Sequence, residues 1–270
     1  MGAGMAANYL KHNYPVTLWN RSKDKLVPFK KRGAGIAATP REAAESADIV
    51  FEVTADDASS RKVWLGRDGI LAGAKKNAVL ISSGTFSIPW IDELARACRV
   101  KGFSYFDIPL TGSRPGAEKG ELILLVGGDE RGLKKLQPDL RPISSQIFYF
   151  GKPGSGARYK LLLNMLYAIH LLGFAEALKM ANRGGLNLAR VAHALIERPG
   201  GSTTKFAWER FLAQPKPIHF SMQWMAKDLR YAKKLAGPLD TPLLNAALKK
   251  LSLAVKKGKG EQDWTSIVKA

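Results

Sequence analysis

The apolar positions of the first 150 residues form short runs that alternate with segments in which apolar residues recur at helical spacing. Short runs are typical of buried strands, and the segments between them are typical of amphipathic helices. Such alternation predicts a doubly wound α/β fold, in which helices cover both faces of a parallel sheet. The predicted strands are residues 15–19, 48–53, 78–81, 103–107, 121–126 and 146–151, and the predicted helices are residues 1–12, 23–32, 40–47, 58–65, 88–100 and 131–136.

From residue 154 onward only helical spacing remains. The change predicts a domain boundary at about residue 152, with a Rossmann-type domain over residues 1–152 and an all-helical domain over residues 153–270 that begins with the longest helix. The predicted helices of this part are residues 160–183, 188–196, 203–212, 222–236 and 241–257.

Composition is that of a globular protein, with 46% hydrophobic and 24% charged residues. The single cysteine, Cys98, excludes an internal disulfide, and the N-terminus lacks the pattern of a signal peptide. Asn164 and His170 interrupt the most apolar run, so no membrane span is expected. The four histidines have no ligand spacing, which predicts no metal site. We therefore expect a soluble, cytoplasmic protein.

The formal charge is +19. The electrostatic field of such a charge attracts anions of every kind, including nucleic acid. Apolar residues separate the lysines near the C-terminus, as on solvated helix faces, and no interleaved aromatic pattern or Cys/His finger accompanies them. Solubility and attraction of anionic substrates are the favoured interpretations, and nucleic-acid binding is the alternative. The lysines concerned are Lys233, Lys234, Lys249, Lys250, Lys256, Lys257 and Lys259.

Lys160 and Asn164 are four residues apart in the longest apolar helical run. On a helix they project from one face, one turn apart, so an ammonium and an amide can reach one substrate. Burial of a lysine lowers its pKa toward the range of a general acid or base. The alternative is that Lys160 extends its charged end to water.

Asn20, Arg21 and Ser22 follow the first predicted strand, where a dinucleotide-binding fold distinguishes its two nicotinamide cofactors. NAD sites usually place an acidic residue here, and an arginine accepts the 2′-phosphate of NADP. Arg21 with Ser22 therefore favours NADP over NAD, the alternative being an ordinary surface turn.

The glycine fingerprint of a dinucleotide site is incomplete, because Gly2 matches its last glycine and is followed directly by the helix. The first strand and two glycines are absent. The sheet would therefore lack a central strand, and the pyrophosphate would lack most of its backbone hydrogen-bond donors. Either the natural start lies upstream, which we favour, or cofactor binding is impaired.

Three segments resemble the motifs of the β-hydroxyacid dehydrogenases. Residues 107–122 are similar to the substrate loop D-x-P-V-S-G-G-x-x-x-A-x-x-G-x-L, residues 154–164 match G-x-G-x-x-x-K-x-x-x-N, and residues 227–229 match K-D-L. The motifs stand in the family's order and cover almost the whole chain. Their details look closest to the glyoxylate and succinic semialdehyde reductase branch of this 3-hydroxyisobutyrate dehydrogenase-like family.

The resemblance implies roles for individual residues. It makes Lys160 the general acid/base, with Asn164 orienting the reacting oxygen, and it makes Asp228 a structural residue that orients Lys227. The substrate carboxylate would be held by Thr111, which replaces the family's serine, and by Gly112 and Ser113. The implied cofactor contacts are Gly2, Asn20, Arg21, Ser22, Val53, Thr54, Ser83 (with Thr85 as the alternative) and Lys227.

The implied function is an NADP-preferring oxidoreductase that transfers a hydride between the nicotinamide and a small aldehyde acid or hydroxyacid, with NAD as a possible cofactor. The helical domains of this family commonly pair, which implies a homodimer or homotetramer. Two alternatives remain: an imine reductase, which commonly lacks the lysine retained here, and an impaired dehydrogenase-like scaffold with a basic surface that binds nucleic acid.

Overall fold

The computed structural model describes residues 1–198 and 200–269, and the chain divides into two compact units, residues 1–160 and 161–270. The strands of the first unit are β1 (Thr17–Leu18), β2 (Gly35–Ile36), β3 (Ile49–Glu52), β4 (Val79–Ser82), β5 (Ser104–Asp107), β6 (Leu110–Thr111), β7 (Leu122–Gly127) and β8 (Ser144–Gly151). Its helices are α1 (Gly2–Lys11), α2 (Val27–Lys30), α3 (Pro40–Glu45), α4 (Asp57–Trp64), α5 (Ile70–Gly73), α6 (Ile88–Val100), α7 (Ser113–Lys119) and α8 (Glu130–Leu140).

The larger sheet of the first unit has the strand order β3-β4-β5-β7-β6, with β8 also paired to β7. Strands β3, β4 and β5 are parallel neighbours, whereas β7 is antiparallel to both β5 and β6. The sheet is therefore parallel over β3, β4 and β5, as expected, and antiparallel where β7 meets β5 and β6. Strands β5 and β6 continue in one direction, and the chain turns back through α7 to form β7, which gives a mixed sheet.

Strands β1 and β2 form a separate parallel pair. The first strand of a complete Rossmann sheet lies between the second and the fourth. A sheet that lacks this central strand is therefore divided into two separate parts. The α/β architecture and the helical second part are confirmed, and the division of the sheet agrees with the expected gap.

Apolar side chains from strands and helices fill the core of the first unit. Leu80 and Ile81 of β4 and Phe106 of β5 are fully or almost fully buried, and Trp90 and Leu94 of α6 are equally inaccessible. Strands covered on both faces are apolar at successive positions rather than at alternate ones. This explains why the short apolar runs of the sequence located β3, β4 and β5 correctly.

Helix α1 packs directly on α7, which lies within the predicted substrate loop. A β-carbon at Gly4 would lie 2.6 Å from the Ala117 carbonyl oxygen, so only glycine permits this approach. The buried Asn8 amide donates hydrogen bonds to the carbonyl oxygens of Ala117, at 2.8 Å, and Glu118, at 3.3 Å. The C-terminal half of α7 is thereby attached to α1.

The second unit is helical. Arg210 and Asp263 form a buried ion pair of 3.0 Å within it, and the Thr265 hydroxyl donates to Asp263 at 2.8 Å. This pair attaches the short 3₁₀ helix Trp264–Lys269, which apolar spacing did not indicate. The α-helices are α9 (Ser155–Arg183), which begins in the first unit, α10 (Leu188–Ile196), α11 (Gly201–Ala213), α12 (Met222–Ala236) and α13 (Pro242–Ala254).

Helix α9 begins at Ser155, five residues before the expected start, because the small residues of its first turn carry no apolar pattern. It has the length and composition of a membrane-crossing helix, and Asn164 and His170 interrupt it less than expected. A single such helix is weak support for a membrane segment, since the core helices of globular proteins meet the same criteria.

Candidate functional site

Three neighbouring strands of the first unit end at the same level. The register pairs Glu52 with Ser82 and Ser82 with Asp107, so the carboxyl ends of β3, β4 and β5 form one edge. Ligands of open α/β sheets bind beyond such an edge. The predicted cofactor residues Val53, Thr54 and Ser83 come directly after β3 and β4 and are therefore brought to this edge.

The two serines after β4 differ in their partners. The Ser82 hydroxyl lies 2.7 Å from the Tyr105 hydroxyl, inside the core. The Ser83 side chain is only 4% exposed, and its hydroxyl has no hydrogen-bond partner among residues 1–198 and 200–269. A buried hydroxyl without a partner is costly, which makes Ser83 the one of the two that a ligand would satisfy.

Thr54 is held by Glu52, a buried acid that the sequence interpretation missed. Its carboxylate accepts hydrogen bonds from the Thr54 amide, at 3.0 Å, from the Thr54 hydroxyl and from the Trp64 indole, at 3.1 Å. Burial raises the pKa of Glu52, and these donors oppose the shift. An acidic residue inside an otherwise apolar strand was the available signal for this interaction.

Gly2 lies at the first turn of α1, beside the end of β3. A β-carbon at Gly2 would lie 3.4 Å from the Val53 β-carbon. Met1, which precedes the helix, makes no side-chain hydrogen bond to its first amides. The amides of a first helical turn attract anionic groups such as a pyrophosphate. Together with the Ser83 hydroxyl, these donors fit the phosphate and ribose groups of a dinucleotide.

Asn20, Arg21 and Ser22 form an exposed turn after β1. The Asn20 side chain accepts a hydrogen bond of 2.8 Å from the Ser22 amide, which shapes the turn. The Arg21 guanidinium forms no ion pair with any residue that the structure describes. It is therefore available to an anion.

The predicted substrate loop passes from β6 into α7. Thr111 pairs with Ile123 of β7, and Gly112 precedes the helix at φ 112°. Ser113 has φ 57°, a left-handed conformation that costs a residue other than glycine about 1–3 kcal/mol. The seven-residue helix α7 was not predicted, because its glycine and proline obscure the helical pattern.

Lys160, in the second turn of α9, is 8% exposed, whereas the other lysines and arginines of residues 1–160 are not buried. The first turn of the same helix meets Asp107, which is fully buried at the end of β5. Burial raises the pKa of Asp107 to about 7, although the Gly154 and Ala157 amides donate hydrogen bonds to its carboxylate. Asp107 is the first residue of the substrate-loop motif, but the family resemblance implied no role for it.

In the second unit, Asp228 connects Asn164 with Lys227. The Asn164 amide donates to one carboxylate oxygen at 2.6 Å, and the Lys227 ammonium lies 2.9 Å from the other. The ammonium is also 5.6 Å from the Trp224 ring centre and 5.2 Å from that of Tyr231. Asp228 thus contacts two predicted site residues, Asn164 as well as the lysine it was expected to orient.

No group of three or more His, Cys, Asp or Glu residues that could hold a metal ion occurs in the part of the chain that the structure describes.

Two family models match consecutive parts of the chain. The NAD binding domain of 6-phosphogluconate dehydrogenase matches residues 1–151, and the NAD-binding domain of NADP-dependent 3-hydroxyisobutyrate dehydrogenase matches residues 154–270. The two matches together span nearly every residue.

Individual relatives agree with these matches. The mitochondrial 3-hydroxyisobutyrate dehydrogenase of Rattus norvegicus is 32% identical over 99% of this chain and 83% of its own length. The chloroplastic glyoxylate/succinic semialdehyde reductase 2 of Arabidopsis thaliana is 28% identical over 100% of this chain and 76% of its own length. The fold is that of a solved structure, Psf3 in complex with NADP+ and 2-OPP, with a TM-score of 0.90, 23% identity and coverage of 100% and 96% of the two chains.

Proposed function

The chain belongs to the 3-hydroxyisobutyrate dehydrogenase-like β-hydroxyacid dehydrogenases, NAD(P)-dependent oxidoreductases that act on CH–OH groups, and we propose that it prefers NADP and reduces a small aldehyde acid reversibly to its hydroxyacid. Substrates of the glyoxylate, succinic semialdehyde or 3-hydroxyisobutyrate type are proposed, because relatives with those names align along almost the whole chain.

The observation that carries the proposal is the burial of Lys160 on α9, within the motif from residue 154 to residue 164. A buried lysine is costly unless an interaction uses its charge or its proton. We assign Lys160 as the group that protonates the developing alkoxide oxygen during reduction and accepts that proton in the reverse direction.

The other residues are assigned to binding and orientation. Bound NADPH supplies the hydride. Asn164 donates its amide to the reacting oxygen, while the Thr111 hydroxyl and the amides of Gly112 and Ser113 hold the substrate carboxylate. The cofactor is assigned to Gly2, Asn20, Arg21, Ser22, Val53, Thr54, Ser83 and Lys227, with Arg21 on the 2′-phosphate because its guanidinium is exposed and available.

Substitution of the lysine tests this assignment. In Lys160→Ala, turnover of glyoxylate or succinic semialdehyde should fall by about 10²-fold or more, as expected for loss of a general acid, with NADPH affinity largely kept. Lys152→Ala is the matched control, since Lys152 is exposed eight residues earlier, and it should behave as the wild type. Unchanged turnover in Lys160→Ala would exclude the lysine from the reaction.

Cofactor preference has its own test. Arg21→Asp should weaken NADPH binding and favour NADH in a fluorescence titration, because a carboxylate repels the 2′-phosphate and accepts ribose hydroxyls. An unchanged preference would contradict the role of Arg21. Absence of NADPH binding by the wild type, combined with salt-dependent DNA affinity, would instead favour the basic scaffold that the charge of +19 suggests.

We further propose residues 1–152 as the cofactor domain, residues 153–270 as the substrate and dimerisation domain, and a homo-oligomer as the assembly. A cytoplasmic location stays a prediction, since the named relatives include mitochondrial and chloroplastic proteins.

A further inference from the structure

Asp107 joins two distant parts of the first unit. Its carboxylate oxygens accept hydrogen bonds from the Gly154 amide, at 2.6 Å, and from the Ala157 amide, at 2.7 Å. First-turn amides have no acceptor within their own helix, so a carboxylate there satisfies them and interacts favourably with the helix dipole. The acceptor here comes from the end of β5, about fifty residues earlier, rather than from a residue next to the helix.

Two glycines allow this close approach. A β-carbon at Gly156 would lie 2.8 Å from the Asp107 carbonyl oxygen and closer still to that of Leu125. A β-carbon at Gly127 would lie 2.8 Å from the Gly156 amide nitrogen and would also meet the Asp107 carboxylate. The first turn of α9 therefore has one well-defined position against the ends of β5 and β7.

Both directions along the chain from this junction lead to residues of the proposed site. Lys160 follows Ala157 by three residues, nearly one helical turn, and both side chains are buried. In the other direction, Thr111 follows Asp107 by four residues, and the Ile108 amide and the Pro109 carbonyl are hydrogen-bonded to β4 and β7. A shift of α9 at this junction would move the lysine relative to the substrate loop.

We propose that Asp107 is a positioning residue, which holds the first turn of α9, and with it Lys160, in register with the strand that leads into the substrate loop. The inference rests on the proposed role of Lys160 and adds the group that fixes its place. A second connection, the ion pair of 2.9 Å between Arg158 and Asp92, is exposed and contributes little by comparison.

Asp107→Asn tests the inference, and Asp92→Asn is the matched control, because Asp92 contacts Arg158 of the same helix α9 from outside the junction. Asparagine has one acceptor oxygen, so its amide nitrogen would face one of the two N–H groups and displace the turn. Turnover of the NADPH-loaded full chain should fall by about 10²-fold, since displacements of about 1 Å at a reacting group have effects of this size, while NADPH affinity stays that of the wild type. Asp92→Asn should leave turnover unchanged.

The chemical reactivity of Lys160 gives a readout that does not depend on activity. An amine-acylating reagent, followed by peptide mass spectrometry, measures the rate at each lysine. A looser first turn exposes the turn that follows it, so Lys160 should become more reactive in Asp107→Asn, whereas the buried Lys227 serves as the internal reference and should not change. An unchanged Lys160 rate in the folded variant would overturn the positioning role, and so would wild-type turnover.

The two proposals fail in different ways. If Lys160→Ala keeps full turnover, the catalytic assignment is wrong whatever Asp107→Asn shows. In that case the reactivity of Lys160 alone tests whether Asp107 positions the lysine. If Lys160→Ala loses turnover and Asp107→Asn does not, the positioning alone is wrong. If Asp107→Asn does not fold, hydrogen exchange on the wild type decides: the Gly154 and Ala157 amides should be as protected as those in the middle of α9, and rapid exchange there would overturn the proposal.

Discussion

Two buried carboxyl groups stand at the ends of β3 and β5, level with each other across β4, and they stabilise different kinds of connection. Glu52 accepts hydrogen bonds from Thr54, two residues later, and from Trp64 in the next helix. Asp107 accepts them from Gly154 and Ala157, far along the chain. The first fixes a local turn that carries a proposed cofactor contact, and the second fixes the position of a whole helix. Similar chemistry thus serves local shape at one strand and long-range register at the other.

The largest expected effect is on the free energy of unfolding, at the close contact between the first turn of α9 and the end of β5. Gly156→Ala should destabilise the protein by about 1–3 kcal/mol or more, because its β-carbon would meet backbone atoms that cannot move aside. Gly173→Ala, on the same helix with no neighbour near its β-carbon position, should stabilise by up to about 1 kcal/mol. Urea unfolding measures both, and equal stability of the two variants would show that the junction is not tightly packed.

A smaller effect is expected at the β3 turn. Glu52→Gln loses one acceptor oxygen, so a buried donor is left unsatisfied at a cost of about 1–2 kcal/mol. The loosened Thr54 turn should also weaken NADPH binding, with turnover at saturating cofactor much less affected than in Asp107→Asn. Glu93→Gln, at an exposed acid paired with Arg61, is the control. Normal NADPH affinity in Glu52→Gln would show that the Thr54 turn does not contribute to cofactor binding.

The smallest effect is the pH dependence of stability. Burial raises the pKa of both carboxyl groups, that of Asp107 to about 7, so the folded protein binds protons there that the unfolded chain has released. The contribution of Asp107 is fully present below its unfolded value, about 4, and is lost as the pH rises through about 7, and that of Glu52 changes in the same direction. Arg158 opposes the shift at Asp107. Unfolding free energies should therefore fall with pH less steeply in Asp107→Asn than in the wild type, and parallel curves would contradict the raised pKa.

The sequence was sufficient for features that depend on local pattern. Apolar runs located β3, β4 and β5, and the helices Ile88–Val100, Leu188–Ile196 and Met222–Ala236 have the predicted bounds. The family's motifs directed attention to Lys160 and to residues 107–122, which the fold places in the same unit.

Features that depend on tertiary contacts were not accessible from the sequence. The reversal that makes β7 antiparallel follows from how β6 and α7 pack, and no local spacing encodes it. The partners of Asp107 lie 47 and 50 residues away, so its proposed role could be inferred only from the folded structure. Glu52 was missed for a different reason: its partners are close in sequence, but an acid in a strand does not by itself reveal which donors surround it.

A single-turnover experiment tests the central claim most directly. Wild-type and Lys160→Ala proteins, each loaded with NADPH, are mixed rapidly with glyoxylate or succinic semialdehyde, and the oxidation of bound NADPH is followed by its absorbance. The account predicts rapid oxidation in the wild type and, in the variant, retained NADPH that is oxidised about 10²-fold more slowly or not at all. Equal rates in the two proteins, or no oxidation by the wild type with either aldehyde acid, would contradict it.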